Sequence, residues 1–215
     1  MKYTLGVLLV CFLSLSFSAE EAAVNIEKKL SSLRSLQADF EQVEYSASIS
    51  TSLSEKGRFY FQRPDLMRWE YQAPERYTYV YKAGVSLAYY PDDNQLFRHT
   101  LTPEEKDAEI FALLTGKQGL QDNYEIEPAD FPQGRKSAVE LKLTPKKEGD
   151  FSYILLGVDE KTWLIERAVF FDWAGNKREF LFSRTKVNPR LASNLFEIEV
   201  PPDCEIIDDP SPQKK

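Results

Sequence analysis

The sequence predicts a mainly β protein: a curved antiparallel sheet of about ten strands with two helices over its mouth. Three observations carry this. Apolar and polar residues alternate with period two in about ten segments, and turn signals separate them. Only two stretches show helical spacing. Segments such as Phe151-Ser152-Tyr153-Ile154-Leu155-Leu156 and Ala168-Val169-Phe170-Phe171 are apolar on both faces, so the second face needs a cover. A sheet this wide curls, and helices across its mouth are the economical cover. The space between is either a filled core or a lipophilic cavity; periodicity does not choose between them.

The first 18 of the 215 residues read as a secretory signal. Lys2 supplies the positive start, Leu5 to Phe17 the apolar run, and Ser16-Phe17-Ser18 the small residues around a cleavage expected after Ser18. The run is shorter than the ~20 residues that span a bilayer, which argues against a retained anchor. A lipidated start at Cys11 fits poorly, because Val10 stands where a small residue is needed. The remaining chain is expected to be one domain over residues 19–207, with a disordered polar tail over 208–215 and a location beyond the inner membrane.

Helical spacing places a first helix at about residues 20–35, where Ala23, Ile26, Leu30 and Leu33 share a stripe. Strands follow. Leu36-Ala38-Phe40 opens the first, Phe59 and Phe61 share a face of the next, and Met67-Trp69-Tyr71 and Tyr77-Tyr79-Tyr81 continue the pattern. Arg63-Pro64-Asp65, Ala73-Pro74 and Pro91-Asp92-Asp93-Asn94 mark turns. A second helix begins at Thr102-Pro103-Glu104-Glu105, a capping-box pattern with Pro at the first helical position. It carries Ile110, Phe111, Leu113 and Leu114 and stops at Gly116. Further strands run through Leu141 to Phe182, with turns at Asp159-Glu160-Lys161 and Ala174-Gly175-Asn176.

Charge and composition exclude several functions. Without the leader, 26 basic residues face 34 acidic ones, a balance that repels nucleic acid and anionic headgroups. His99 is the single histidine, which removes two-histidine metal sites and leaves a surface histidine as the simplest reading. Cys204 is the one thiol outside the leader, so an internal disulfide is excluded there. No G-x-S-x-G or G-x-G-x-x-G occurs, and Thr115-Gly116-Lys117-Gln118 lacks the leading Gly and the final hydroxyl of a phosphate loop. Glu70, flanked by Trp69 and Tyr71, is the best candidate for carboxylate catalysis, but a solvated strand position explains it more simply. No enzyme activity, cofactor or metal is expected.

Phe61-Gln62-Arg63-Pro64-Asp65-Leu66-Met67-Arg68-Trp69-Glu70-Tyr71 resembles the LolA family of periplasmic lipoprotein carriers. The strand Leu36 to Gln42, the Gly57-Arg58-Phe59-Tyr60-Phe61 segment, Pro74, the stretch Gly84 to Pro91 and the ending Asn194 to Pro202 agree in order. The resemblance implies an unclosed antiparallel β-barrel of about eleven strands with a helical lid. It implies a carrier that shields the acyl chains of lipoproteins. An inner-membrane ABC-type release complex would load it and an outer-membrane receptor lipoprotein unload it, with the carrier a monomer. Arg63 is then the lid latch, bonding to lid-helix carbonyls; from the residues alone it reads as an exposed arginine before a turn. Trp69, Phe59, Phe61, Tyr79, Tyr89 and Leu141 become cargo-cavity candidates. Ile26, Leu30, Leu33, Ile110, Phe111 and Leu114 become lid residues, and Leu66 and Met67 an exposed docking point. A carrier of a glycolipid or acylated pigment, and an envelope-stress sensor domain of the same fold, are the alternatives.

Overall fold

The computed structural model describes residues 18–101, 113, 119–131 and 137–209. Helix α1 (Ala19–Ser32) leads into β1 (Ser35–Ser46), β2 (Thr51–Gln62), β3 (Leu66–Ala73), β4 (Tyr77–Lys82), β5 (Val85–Tyr90) and β6 (Gln95–Thr100). A short helix α2 (Leu120–Asn123) precedes β7 (Tyr124–Pro128), β8 (Val139–Pro145), β9 (Phe151–Val158), β10 (Ile165–Asp172), β11 (Lys177–Val187) and β12 (Glu205–Asp209). Among the described residues, the twelve strands form one sheet in the order β12-β6-β5-β4-β3-β2-β1-β11-β10-β9-β8-β7, with β12 and β7 at its edges. The expected single meander is two, β1–β6 and β7–β11, joined where β1 pairs with β11. Leu113 is helical and buried, while Ile110, Phe111 and Leu114 of the expected second helix lie outside the described residues.

Ser18 caps α1: its hydroxyl accepts from the Glu21 N–H, and the Glu21 carboxylate accepts from the Ser18 N–H. The helix lays Ala22, Ala23, Ile26 and Leu30 on the inner face of the sheet. That face carries the main core, with Phe40, Phe59, Phe61, Met67, Trp69, Leu156, Phe170, Phe180 and Phe182 among its members. Gly57 sits in this surface for a steric reason. A Cβ there would lie 2.0 Å from the Glu70 carbonyl oxygen and 2.8 Å from the Phe40 ring.

The doubly apolar strands are explained by two irregular segments on the outer face rather than by helices. Phe196 packs on Tyr60 and Val80, helped by Leu191, Leu195 and Ile198. Arg68 fastens that segment by donating to the Leu195 and Glu197 carbonyls. Phe131 covers Leu155 and Val169, and the Arg167 guanidinium lies 4.1 Å over the Phe131 ring while pairing with Glu179 at 2.7 Å. After the Phe196 segment the chain adds β12 parallel to β6, held by two hydrogen bonds from Arg98 to Asp208. Strand β12 thus extends to Asp209, two residues into the expected tail; residues 210–215 lie outside the described residues.

Candidate functional site

The site is the inner face and its roof. Register fixes which residues share that face. Phe59 lies opposite Trp69, Trp69 opposite Tyr79, Phe61 opposite Met67 and Leu141 opposite Leu156. Trp69 is the hub, with ring centroids 4.3 Å from Phe59, 4.9 Å from Phe40 and 5.4 Å from Phe180. Such tilted and edge-on contacts pack well without directional bonds. Between α1 and this surface the described residues leave a crevice of ≈ 30 Å³, lined by Leu30, Leu33, Phe59, Phe61, Ile165 and Phe182 among others. That is room for about two water molecules. Among the described residues, this crevice is too small for an alkyl chain while α1 stays in place.

Arg63 holds α1 down. The turn after β2 brings it beneath the end of the helix, where Nε donates to the Leu33 carbonyl at 2.6 Å and an Nη donates to the Leu30 carbonyl at 2.8 Å. Both carbonyls lie at the helix C-terminus, the negative end of its dipole, and the Leu30 carbonyl also accepts from the Leu33 N–H at 3.3 Å. The Arg63 side chain is half-buried rather than exposed. Asn188 pins the same joint from the other side: its Oδ1 accepts from the Arg34 and Ser35 N–H groups at 2.7 and 3.2 Å.

A polar network interrupts the apolar face at its other end. Gln42 donates to Glu44 and to buried Glu55, Tyr71 donates to Gln42 at 2.8 Å, and Tyr77 donates to Glu55 at 2.9 Å. Tyr71 and Tyr77 stack at 4.1 Å. Burial raises the Glu55 carboxyl above its usual range; the Tyr77 hydroxyl opposes this and the nearby Glu44 and Glu75 carboxylates add to it. Burial likewise raises the Tyr71 and Tyr77 hydroxyls. A carboxyl raised in the folded state favours folding most while protonated, and that advantage is lost as the pH rises through its folded value. Glu55→Gln is therefore expected to gain stability relative to the parent chain as pH increases from about 4 to about 7. Paired thermal melts across that range check it, and a constant difference contradicts it.

A family profile described as "Outer membrane lipoprotein carrier protein LolA" matches residues 31–199. The chain belongs to the LolA family. It is 29% identical over 210 residues to the outer-membrane lipoprotein carrier protein of Methylococcus capsulatus, covering 97% of this chain and 98% of that protein. Among solved structures, an uncharacterized conserved protein of Thermus thermophilus superposes with a TM-score of 0.55 at 18% identity, over 89% of this chain and 99% of that one. MucB, solved in the Pseudomonas aeruginosa MucA/MucB complex, gives a TM-score of 0.51 at 14% identity, over 84% of this chain and 61% of that one. Both likenesses are of fold.

Within this LolA-family fold, five of the six cavity candidates lie on the inner face: Trp69, Phe59, Phe61 and Leu141 are buried there, and Tyr79 packs half-buried against them. Tyr89 does not. It lies opposite Thr78 and Leu96 and shares the outer face of Leu87, because the strand Leu87-Tyr89 sends its odd positions outward. The docking pair is also corrected. Strand β3 starts directly after the short turn, so Met67 points inward and is 1% exposed, and Leu66 packs half-buried on the outer cluster. Ile26 and Leu30 of α1 and Leu33 at its C-cap are buried against the inner face. Glu70 is held by Arg68 at 2.7 Å on the outer face, and His99 is a half-buried β6 residue opposite Ser86. Sequence reasoning misses Asn188 and the Gln42–Glu55 network. Their signals are an Asn between a strand and a proline, and polar residues at inward positions of an otherwise apolar alternation.

Proposed function

We propose that this chain is a periplasmic carrier that hides the acyl chains of lipoproteins beneath α1 and passes them from an inner-membrane ABC-type release complex to an outer-membrane receptor lipoprotein, acting as a monomer and without catalysis. The observation that carries the reading is the apolar inner face roofed by a helix to whose C-terminal carbonyls Arg63 donates two hydrogen bonds. The energies suit a reversible lid. Ile26, Leu30 and Leu33 are the large side chains that α1 and its cap contribute, at about 1.5–3 kcal/mol each. One acyl chain of a dozen methylenes gains roughly 10 kcal/mol on leaving water. Cargo can therefore displace the roof, and the roof can reseal the core when a stronger acceptor takes the cargo.

The match to the outer-membrane lipoprotein carrier protein of Methylococcus capsulatus over nearly the whole of both chains supports this reading. The test is competition. An environment-sensitive apolar dye is expected to bind the protein and to be displaced by a triacylated peptide. Equal competition by the same peptide without acyl chains would contradict the reading.

A further inference from the structure

A pocket of ≈ 470 Å³ opens at the end of the sheet away from Arg63. One wall is apolar: Leu53, Phe151 and Phe170. The facing rim is polar, with the Glu44 carboxylate accepting from Arg178 Nε at 2.6 Å and from Gln42 at 3.1 Å. Leu53 is half exposed although it belongs to the inner face, opposite Glu44. Ring contacts lead inward from this pocket without a break. Phe151 lies 5.0 Å from Phe170, Phe170 lies 6.1 Å from Phe180, and Phe180 lies 5.4 Å from Trp69, next to the crevice under α1.

We infer that this pocket seats the polar head of the acylated cargo, with the acyl chains running inward along the aromatic row toward α1. The inference rests on the carrier reading and adds the direction in which cargo lies and the kind of head it carries. The pocket has the size of a ligand site, and its apolar wall meets a hydrogen-bonding rim as the junction of an amphiphile requires. Rim charges balance, with Glu44 and Asp172 against Lys177 and Arg178. A balanced rim offers no net attraction to a phosphate, so the head that fits is uncharged and rich in amide and ester groups, as at the acylated start of a peptide.

The test uses the full chain with Cys204→Ser and a fluorophore at Leu53→Cys or, separately, at Thr185→Cys. Thr185 lines the crevice under α1 and lies seven residues beyond Arg178 along β11, roughly 20 Å away. The probe is a triacylated peptide with a nitroxide on its second residue. Strong quenching at position 53 and little at 185 is expected. Stronger or equal quenching at 185 overturns the inference and leaves the carrier reading intact. No displacement of the apolar dye by the peptide removes the carrier reading itself. Leu53→Glu, at an exposed position, is expected to weaken peptide binding on the order of tenfold; unchanged affinity also overturns the inference.

Discussion

Arg63→Leu is expected to raise the amide exchange of α1 by roughly 30- to 100-fold while the strands keep their protection. The substitution removes two charge-assisted hydrogen bonds, to the carbonyls of Leu30 and Leu33. Hydrogen bonds to charged groups contribute about 1.5–3 kcal/mol each; because the freed carbonyls regain water on local opening, a net loss of about 2–2.7 kcal/mol for the pair gives that factor. Arg63→Lys should recover only part of it, because an ammonium cannot fork to two carbonyls in the fixed geometry of a guanidinium. Exchange measured residue by residue over 19–32 and over β9 to β11 checks both statements. Unchanged exchange in α1 would mean that its apolar contacts alone hold the roof. The functional consequence follows from the same number. A roof that opens more often lets apolar dye in faster, and a carrier without its latch should load readily yet release poorly, since resealing drives cargo out.

Gly57→Ala is expected to cost at least about 3 kcal/mol of global stability, the upper end of ordinary overpacking. The added methyl would sit 2.0 Å from the Glu70 carbonyl oxygen, and a backbone atom paired in the sheet cannot swing aside as a side chain can. The Phe40 ring closes the other side at 2.8 Å. Relief must come from separating β2 and β3, which also disturbs the Phe59–Trp69 contact at the centre of the inner face. Denaturant unfolding checks the value. A loss under about 1 kcal/mol would mean that the two strands part at little cost.

The fold class is legible because the inward rows are so regular. Ala38-Phe40, Phe59-Phe61 and Met67-Trp69 alternate strictly, and a strict period of two has one structural meaning. Helix α1 is legible from the stripe Ala23-Ile26-Leu30, although it ends at Ser32 rather than 35 because Leu33 already has extended backbone. The strand order is not legible, since pairing of β1 with β11 joins residues far apart in sequence and leaves no local mark. Nor are the outer covers. Phe131 and Phe196 stand in irregular segments, where no periodicity announces burial. Tyr89 is misplaced because a strand's period shows that neighbours face opposite ways but only register shows which way is in; Met67 is misplaced because the resemblance set it in an exposed loop, whereas β3 already begins at Leu66. Arg63 comes from the resemblance; its two bonds to α1 supply the physical reason that the residue alone could not.

The central claim is that cargo and the roof compete for the same apolar surface. The most direct measurement is the distance between spin labels at Lys28, exposed on α1, and Arg76, exposed in the β3–β4 turn, in a Cys204→Ser chain with and without a triacylated peptide. The account predicts a short, single distance without peptide and a longer one when peptide is bound. Bound peptide with an unchanged distance would contradict it, because acyl chains would then have found room that the closed interior does not offer.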